Sequence, residues 1–131
     1  MEDIVISIRS EFAEKIYSKE KKYELRKRVP NIALGARCWI YEPKPIGKIT
    51  GFFEFDGCVC IDKIWLWDKY GSQFGIDYER YCEYYSGQEM ACAWKVSNPT
   101  RIAPLLLSEF GISHAPQSYQ KVVKECRNFT A

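Results

Sequence analysis

The run Lys19-Glu20-Lys21-Lys22-Tyr23-Glu24-Leu25-Arg26-Lys27-Arg28 holds the densest mixture of acid and base in the chain. Side chains two apart on an extended strand share a face, so Glu24 and Arg26 can meet as a carboxylate–guanidinium pair. An arginine oriented in this way, beside a lysine, suits a phosphate or a base edge. A solvated edge strand, with lysines that deter aggregation, has the same pattern. A second candidate is Tyr41-Glu42-Pro43-Lys44-Pro45, where two prolines stiffen the backbone around a lysine and lower the entropy it loses on meeting a ligand. A rigid surface turn fits it equally. The third is Ala115-Pro116-Gln117-Ser118-Tyr119, where an amide, a hydroxyl and a phenol follow a proline; the ordinary entry to a C-terminal strand is the alternative.

Metal chemistry has less support. The six cysteines form no C-x-x-C pair and His114 is the single histidine, whereas zinc sites usually draw on closely spaced ligand pairs. Cys58 and Cys60 share one strand face, which leaves a metal pair open. Two neighbouring buried thiols are the simpler expectation in a chain that opens on Met1-Glu2-Asp3 rather than a secretion signal. No metal and no cofactor are expected.

The elements that must position these groups follow from periodicity. Ile4–Arg9 reads as a strand, and Ser10 as the cap of a short helix with Phe12, Ala13, Ile16 and Tyr17 on its apolar face, ending near Ser18–Lys19. Tyr23–Lys27 and Ala36–Tyr41 are strands. Lys48–Phe55 and Cys58–Trp67 are expected as two strands of a hairpin turning at Asp56-Gly57, with Trp65 and Trp67 on one strand face. Core packing is their ordinary fate, and a base-stacking platform the alternative. Asp77 caps a helix whose Tyr78, Tyr81, Cys82 and Tyr85 recur at helical spacing, and Gly87 ends it. Met90–Val96, a short helix over Leu105–Phe110 begun by Pro104 and closed by Gly111, and a strand over Ser118–Val123 complete the chain. The expectation is one α+β domain over residues 1–131, a curved, partly closed β-barrel of about five to seven strands with two or three peripheral helices.

Charge is segregated. Residues 1–48 carry 11 basic and 7 acidic side chains, residues 54–89 carry 3 and 8, and residues 90–131 carry 5 and 2. This is not the uniform excess of a DNA-coating protein; it fits one basic face or pocket. Apolar runs such as Ile102–Leu107 are too short to cross a bilayer. A soluble, cytoplasmic domain is expected, with no membrane partner and an open oligomeric state.

The stretch from Ile6-Ser7-Ile8-Arg9 through Ile16, followed by Lys19–Arg26, resembles the start of an ASCH domain of the PUA-like superfamily. The signature there is G-x-K-x-x-E-x-R: Lys21, Glu24 and Arg26 supply its K, E and R, while Lys19 stands at the glycine. Ile40–Ile46 with Ile49–Phe53, and Phe110–Ile112 with Pro116–Tyr119, resemble the second and closing blocks, so the likeness spans nearly the whole chain. It implies a barrel-like fold whose cleft binds RNA, a modified base or a nucleotide, with Arg9, Lys21, Glu24, Arg26, Tyr41, Lys44, Gln117 and Ser118 as ligand-binding candidates. One branch of the family hydrolyses acetylated cytidine with a lysine, a threonine and a glutamate. Lys21 matches that lysine, but Glu24 occupies the threonine position and Ser72-Gln73-Phe74 stands where the glutamate is expected, which removes the covalent step. Other relatives are ribonucleases. If this chain is an enzyme, Lys21, Tyr41 and Ser118 are the candidate catalytic groups, with Lys44 as an electrostatic stabiliser of a metal-independent cleavage. Binding ranks first, hydrolysis of RNA or a modified nucleoside second, and a regulatory protein-interaction domain third.

Overall fold

The first strand, Ile4–Ser7 (β1), is apolar on both faces because both are covered: Ile4 and Ile6 enter one hydrophobic cluster and Val5 another. The computed structural model describes residues 2–126 and Phe129. Helix Ser10–Tyr17 (α1) follows, burying Ala13 and Ile16. Arg9, not Ser10, is its capping residue, and its carbonyl accepts from the Phe12 and Ala13 amides. Then come strands Tyr23–Arg26 (β2), Arg37–Glu42 (β3) and Lys48–Asp62 (β4), helices Lys63–Tyr70 (α2) and Tyr78–Tyr84 (α3), and strands Met90–Leu105 (β5) and Tyr119–Lys121 (β6). Two short 3-10 turns, Gly71–Gln73 and Leu107–Phe110, interrupt the connections.

The strands form one mixed sheet in the order β2-β5-β4-β3-β1-β6, with β1 parallel to β3 and the other pairs antiparallel. The fold is α+β with six strands and three α-helices among the described residues. Backbone pairing does not close a barrel: β2 and β6 are separate edges of the sheet. Side chains bridge the seam instead. Trp94 on β5 meets Tyr119 on β6 with ring centroids 5.4 Å apart, and the Asn31 amide donates to the Tyr119 hydroxyl. The sheet curls enough for β1, β3, β4 and β5 residues to share one hydrophobic cluster with Ala13 and Ile16 of α1, with Tyr119 of β6 packed against it.

The hairpin expected at Asp56-Gly57 is corrected. β4 runs through these residues and pairs with β5 on either side, with register shifts at Ile49/Gly51, Phe52/Glu54 and Phe55/Cys58. Gly57 adopts φ 105°, which a glycine accepts at a bulge where an L side chain would be strained. The bulges bend the long pair so that one strand serves several cores. Gly51 is needed for a different reason: a Cβ there would collide with the Thr100 carbonyl oxygen and the Tyr17 ring.

The same strand stops early because Asp62 caps α2, its carboxylate accepting from the Ile64 and Trp65 amides at 2.8 and 3.4 Å. Trp65-Leu66-Trp67 is therefore helical. Leu66 and Trp67 pack inward, and Trp65 is 67% exposed. α3 begins at Asp77 as expected, its carboxylate accepting from the Arg80 amide. Tyr81 and Tyr85 are buried, but Tyr78 and Cys82 face outward. Pro104 lies near the end of β5, and the helical turn begins only at Leu107, closing at left-handed Gly111.

Cys60 and Cys92 are paired as a disulfide across β4 and β5, which overturns the expectation of unpaired thiols at Cys58 and Cys60. The partners are 32 residues apart, and only the strand register brings them opposite each other.

Candidate functional site

α1 ends at Ser18, and Lys19 takes φ 70° before the chain enters β2. This is the left-handed turn that a glycine makes without cost and that a side chain makes at about 1–2 kcal/mol. The lysine at the signature's glycine position therefore preserves the turn and changes its cost. Two residues on, the Lys21 amide donates to the Lys15 carbonyl, and its side chain turns inward beneath Gly75, whose missing Cβ leaves it room.

β2 then sorts its residues by parity. Tyr23 and Leu25 enter the aromatic cluster under α2 and α3. Glu24 and Arg26 face the opposite side, in register with Trp94 and Cys92 of β5. There Glu24 accepts from Arg26 Nε at 3.2 Å and Nη2 at 2.8 Å, and lies 3.9 Å from Lys21 Nζ. Glu24 is 6% and Lys21 3% exposed, so the three charges form a largely dry network. Lys21 Nζ also donates to the Phe74 carbonyl at 2.5 Å and lies over the Phe12 ring.

Arg26 reaches across the seam. Nη2 donates to the Ser7 carbonyl and Nη1 to Ser118 Oγ, each at 3.0 Å. Among the described residues four of its five N–H groups are thereby engaged, which leaves one on Nη1 without a partner. Ser118 is held in turn by its carbonyl, which accepts from the Ser7 amide. Because Ser118 Oγ accepts from Arg26, its own hydroxyl proton remains available to a ligand.

Ser7, Lys21, Glu24 and Arg26 line a cavity of about 430 Å³, within the range of small-molecule sites. Its lining contains four cationic side chains, Arg9, Lys21, Arg26 and Arg80, against two carboxylates, Glu24 and Glu83, together with Ser7, Phe12 and Tyr84. Arg80 is oriented by a bidentate pair with Glu11, at 2.8 and 3.0 Å, that ties α3 to α1. That hydrogen bond holds the Glu11 carboxyl below its ordinary value.

Burial depresses the Lys21 ammonium below its ordinary value of 10.5, and Glu24 offsets part of that effect. Between the depressed value and 10.5 the unfolded chain binds this proton more readily, so the Lys21 contribution to stability rises with pH across that window. It is lost as pH falls through the folded-state value. We expect Lys21 to titrate below the other lysines when side-chain nitrogen shifts are followed by NMR; titration together with them would contradict the burial argument.

Of the sequence candidates, Arg9, Lys21, Glu24 and Arg26 line this cavity, and Ser118 joins through Arg26. Gln117 is exposed beside Ser118. Tyr41 is buried in a different cluster with Trp39 and Ile49, its hydroxyl facing Gly47, and Lys44 sits on the exposed turn between β3 and β4. The backbone links the two regions: Ser7 is in register with Tyr41 on one side and bonded to Ser118 on the other. Sequence reasoning missed Arg80, Glu83 and Tyr84. They form the stripe of α3 complementary to buried Tyr81 and Tyr85, and spacing of three and four residues was the available signal.

The chain is 35% identical over 127 residues to the ASCH domain-containing ribonuclease of Zymomonas mobilis, covering 94% of this chain and 86% of that protein. Crystal structures of the Zymomonas mobilis ASCH protein superpose closely. The unsubstituted protein gives a TM-score of 0.84 at 34% identity, covering 90% of this chain and 85% of the other. A tyrosine-to-phenylalanine variant gives 0.85 at 33% identity, covering 92% and 89%. A serine-to-alanine variant gives 0.83 at 34%, covering 90% and 86%. No protein-family model matches the chain. Identity at this level over nearly the full length, with the same fold, settles the family: this chain belongs to the ASCH domain proteins.

Proposed function

We propose that the cleft between β2, α1 and α3 binds single-stranded RNA, taking a phosphate on Arg26 and Ser118 and a base or sugar against Phe12 and Tyr84. The observation that carries this reading is the arginine itself. Arg26 is locked by Glu24, Ser7 and Ser118 with one N–H free among the described residues, in a cleft where cations outnumber carboxylates. Such an arginine loses little entropy on binding and presents donors to an anion. Arg9 and Arg80 extend the positive rim, and a PUA-like, cytoplasmic domain is part of the same reading. The Kd for a labelled RNA oligonucleotide is expected to weaken steadily with salt, because phosphate contacts release counterions. Affinity that is unchanged from low to high salt would remove the phosphate-contact mechanism.

Cleavage of the bound RNA is the second reading. It is favoured by the name of the Zymomonas mobilis relative, a ribonuclease, and by the tyrosine and serine chosen for substitution in its solved variants; Tyr41 and Ser118 are the same residue types. Incubation of labelled RNA with the purified protein and a chelator separates the readings. Cleavage that is lost in Ser118→Ala while binding persists supports an enzyme, and binding without cleavage supports a binding module. Failure of both favours a protein-interaction domain.

A further inference from the structure

The sheet face that carries Glu24 and Arg26 continues over two neighbouring strands into a cluster of sulfur. Arg26 is in register with Cys92, and Cys92 with Cys60; in the adjacent row Glu24 is in register with Trp94, and Trp94 with Cys58. The sulfur atoms of Cys58, Cys60 and Cys92 all lie within 4.8 Å of one another. Three thiolates around a zinc-sized cation at about 2.3 Å need a comparable spacing, so only side-chain adjustment separates this cluster from a ligand set. Cys92 is buried whereas Cys58 and Cys60 are half-exposed, which leaves one side open to a fourth, water ligand. Three thiolates and a divalent cation carry one net negative charge, and Arg26 is the cationic residue in register with Cys92 on this face. The indole N–H of Trp94 is buried without a partner among the described residues on this same face, and a thiolate is a natural acceptor for such a donor.

We propose that Cys58, Cys60 and Cys92 form a redox-gated site for a thiophilic d10 cation of the zinc class. The structure holds the oxidised alternative, with Cys60 joined to Cys92. Reduction by a dithiol, which closes to its own disulfide and releases two protons to solvent, supplies two electrons, breaks that S–S bond and yields two thiolates; Cys58 gives up its proton to solvent as it joins them around the cation. The reverse step needs a small-molecule disulfide as oxidant. Cys60 and Cys92 lose two electrons and form their S–S bond, the oxidant takes those electrons with two solvent protons to become two thiols, and the cation departs from the single remaining thiolate. The site stands independently of the RNA reading.

The full chain, reduced with a phosphine that does not bind metal, is titrated with Co²⁺ as a spectroscopic stand-in for Zn²⁺. A thiolate-to-cobalt charge-transfer band should saturate at one equivalent per chain, disappear on addition of Zn²⁺, and be absent in protein oxidised with a small-molecule disulfide. C58S and C60S should each lose the band while circular dichroism shows them folded, and C82S and C126S should keep it. Both test positions are half-exposed, so the result does not depend on replacing buried Cys92. Absence of the band in reduced, folded protein, its survival in C58S and C60S, or an equal band in oxidised protein would each overturn the proposal.

Discussion

Replacement of Glu24 by alanine is expected to destabilise the domain by about 3–5 kcal/mol, the cost of removing one partner from a buried ionic group. Glu24 accepts two hydrogen bonds from Arg26 and is the carboxylate facing Lys21. Without it, Lys21 would keep, among the described residues, the Phe74 carbonyl and the Phe12 ring for a charge that is 3% exposed. Part of the relief would come from deprotonation, the direction in which burial already pushes Lys21. Urea denaturation of the wild type, Glu24→Ala and the double variant Lys21→Met/Glu24→Met gives the test. The double variant should recover much of the lost stability, because it removes the stranded ammonium together with its partner. A loss below about 1 kcal/mol in the single variant would mean that the network is hydrated and that the burial argument fails.

Replacement of Arg26 by alanine should weaken RNA binding by about 10- to 100-fold, the scale of one or two charge-assisted hydrogen bonds. Arg26→Lys should rescue little. A lysine keeps the charge but cannot engage Glu24, Ser7 and Ser118 together as the planar fork does. The salt dependence should flatten along with the affinity, which a merely destabilised protein would not show. Because Arg26 also bridges the sheet edges, binding is to be measured where each variant is folded by circular dichroism. Wild-type affinity in folded Arg26→Ala would place the ligand elsewhere.

The parity of β2 and the N-terminal cap of α3 were legible in the sequence because they depend on neighbours along the chain, whereas the helix stops at Tyr84 with Tyr85 as its C-cap, short of the expected Gly87. Alternation alone sends Tyr23 and Leu25 one way and Glu24 and Arg26 the other, and Asp77 caps whichever helix follows it. Local rules failed where two of them competed. Asp56-Gly57 satisfies a hairpin turn, but the pairing of β4 with β5 on both sides makes it a bulge. Trp65-Leu66-Trp67 satisfies a strand, but the carboxylate of Asp62 captures the two amides that start a helix.

Spacing by itself paired Glu24 with Arg26, since the strand period places them on one face, and the resemblance to the ASCH signature added Lys21. The tertiary structure decided what that face meets. Arg26 reaches Ser7 and Ser118 because the sheet curls until its opposite edges approach. Arg80, Glu83 and Tyr84 arrive from a helix more than fifty residues downstream, and Cys92 joins the neighbouring Cys58 and Cys60 only through strand register. A linear pattern reports which side of an element a residue occupies; long-range packing determines which other element is brought against that side.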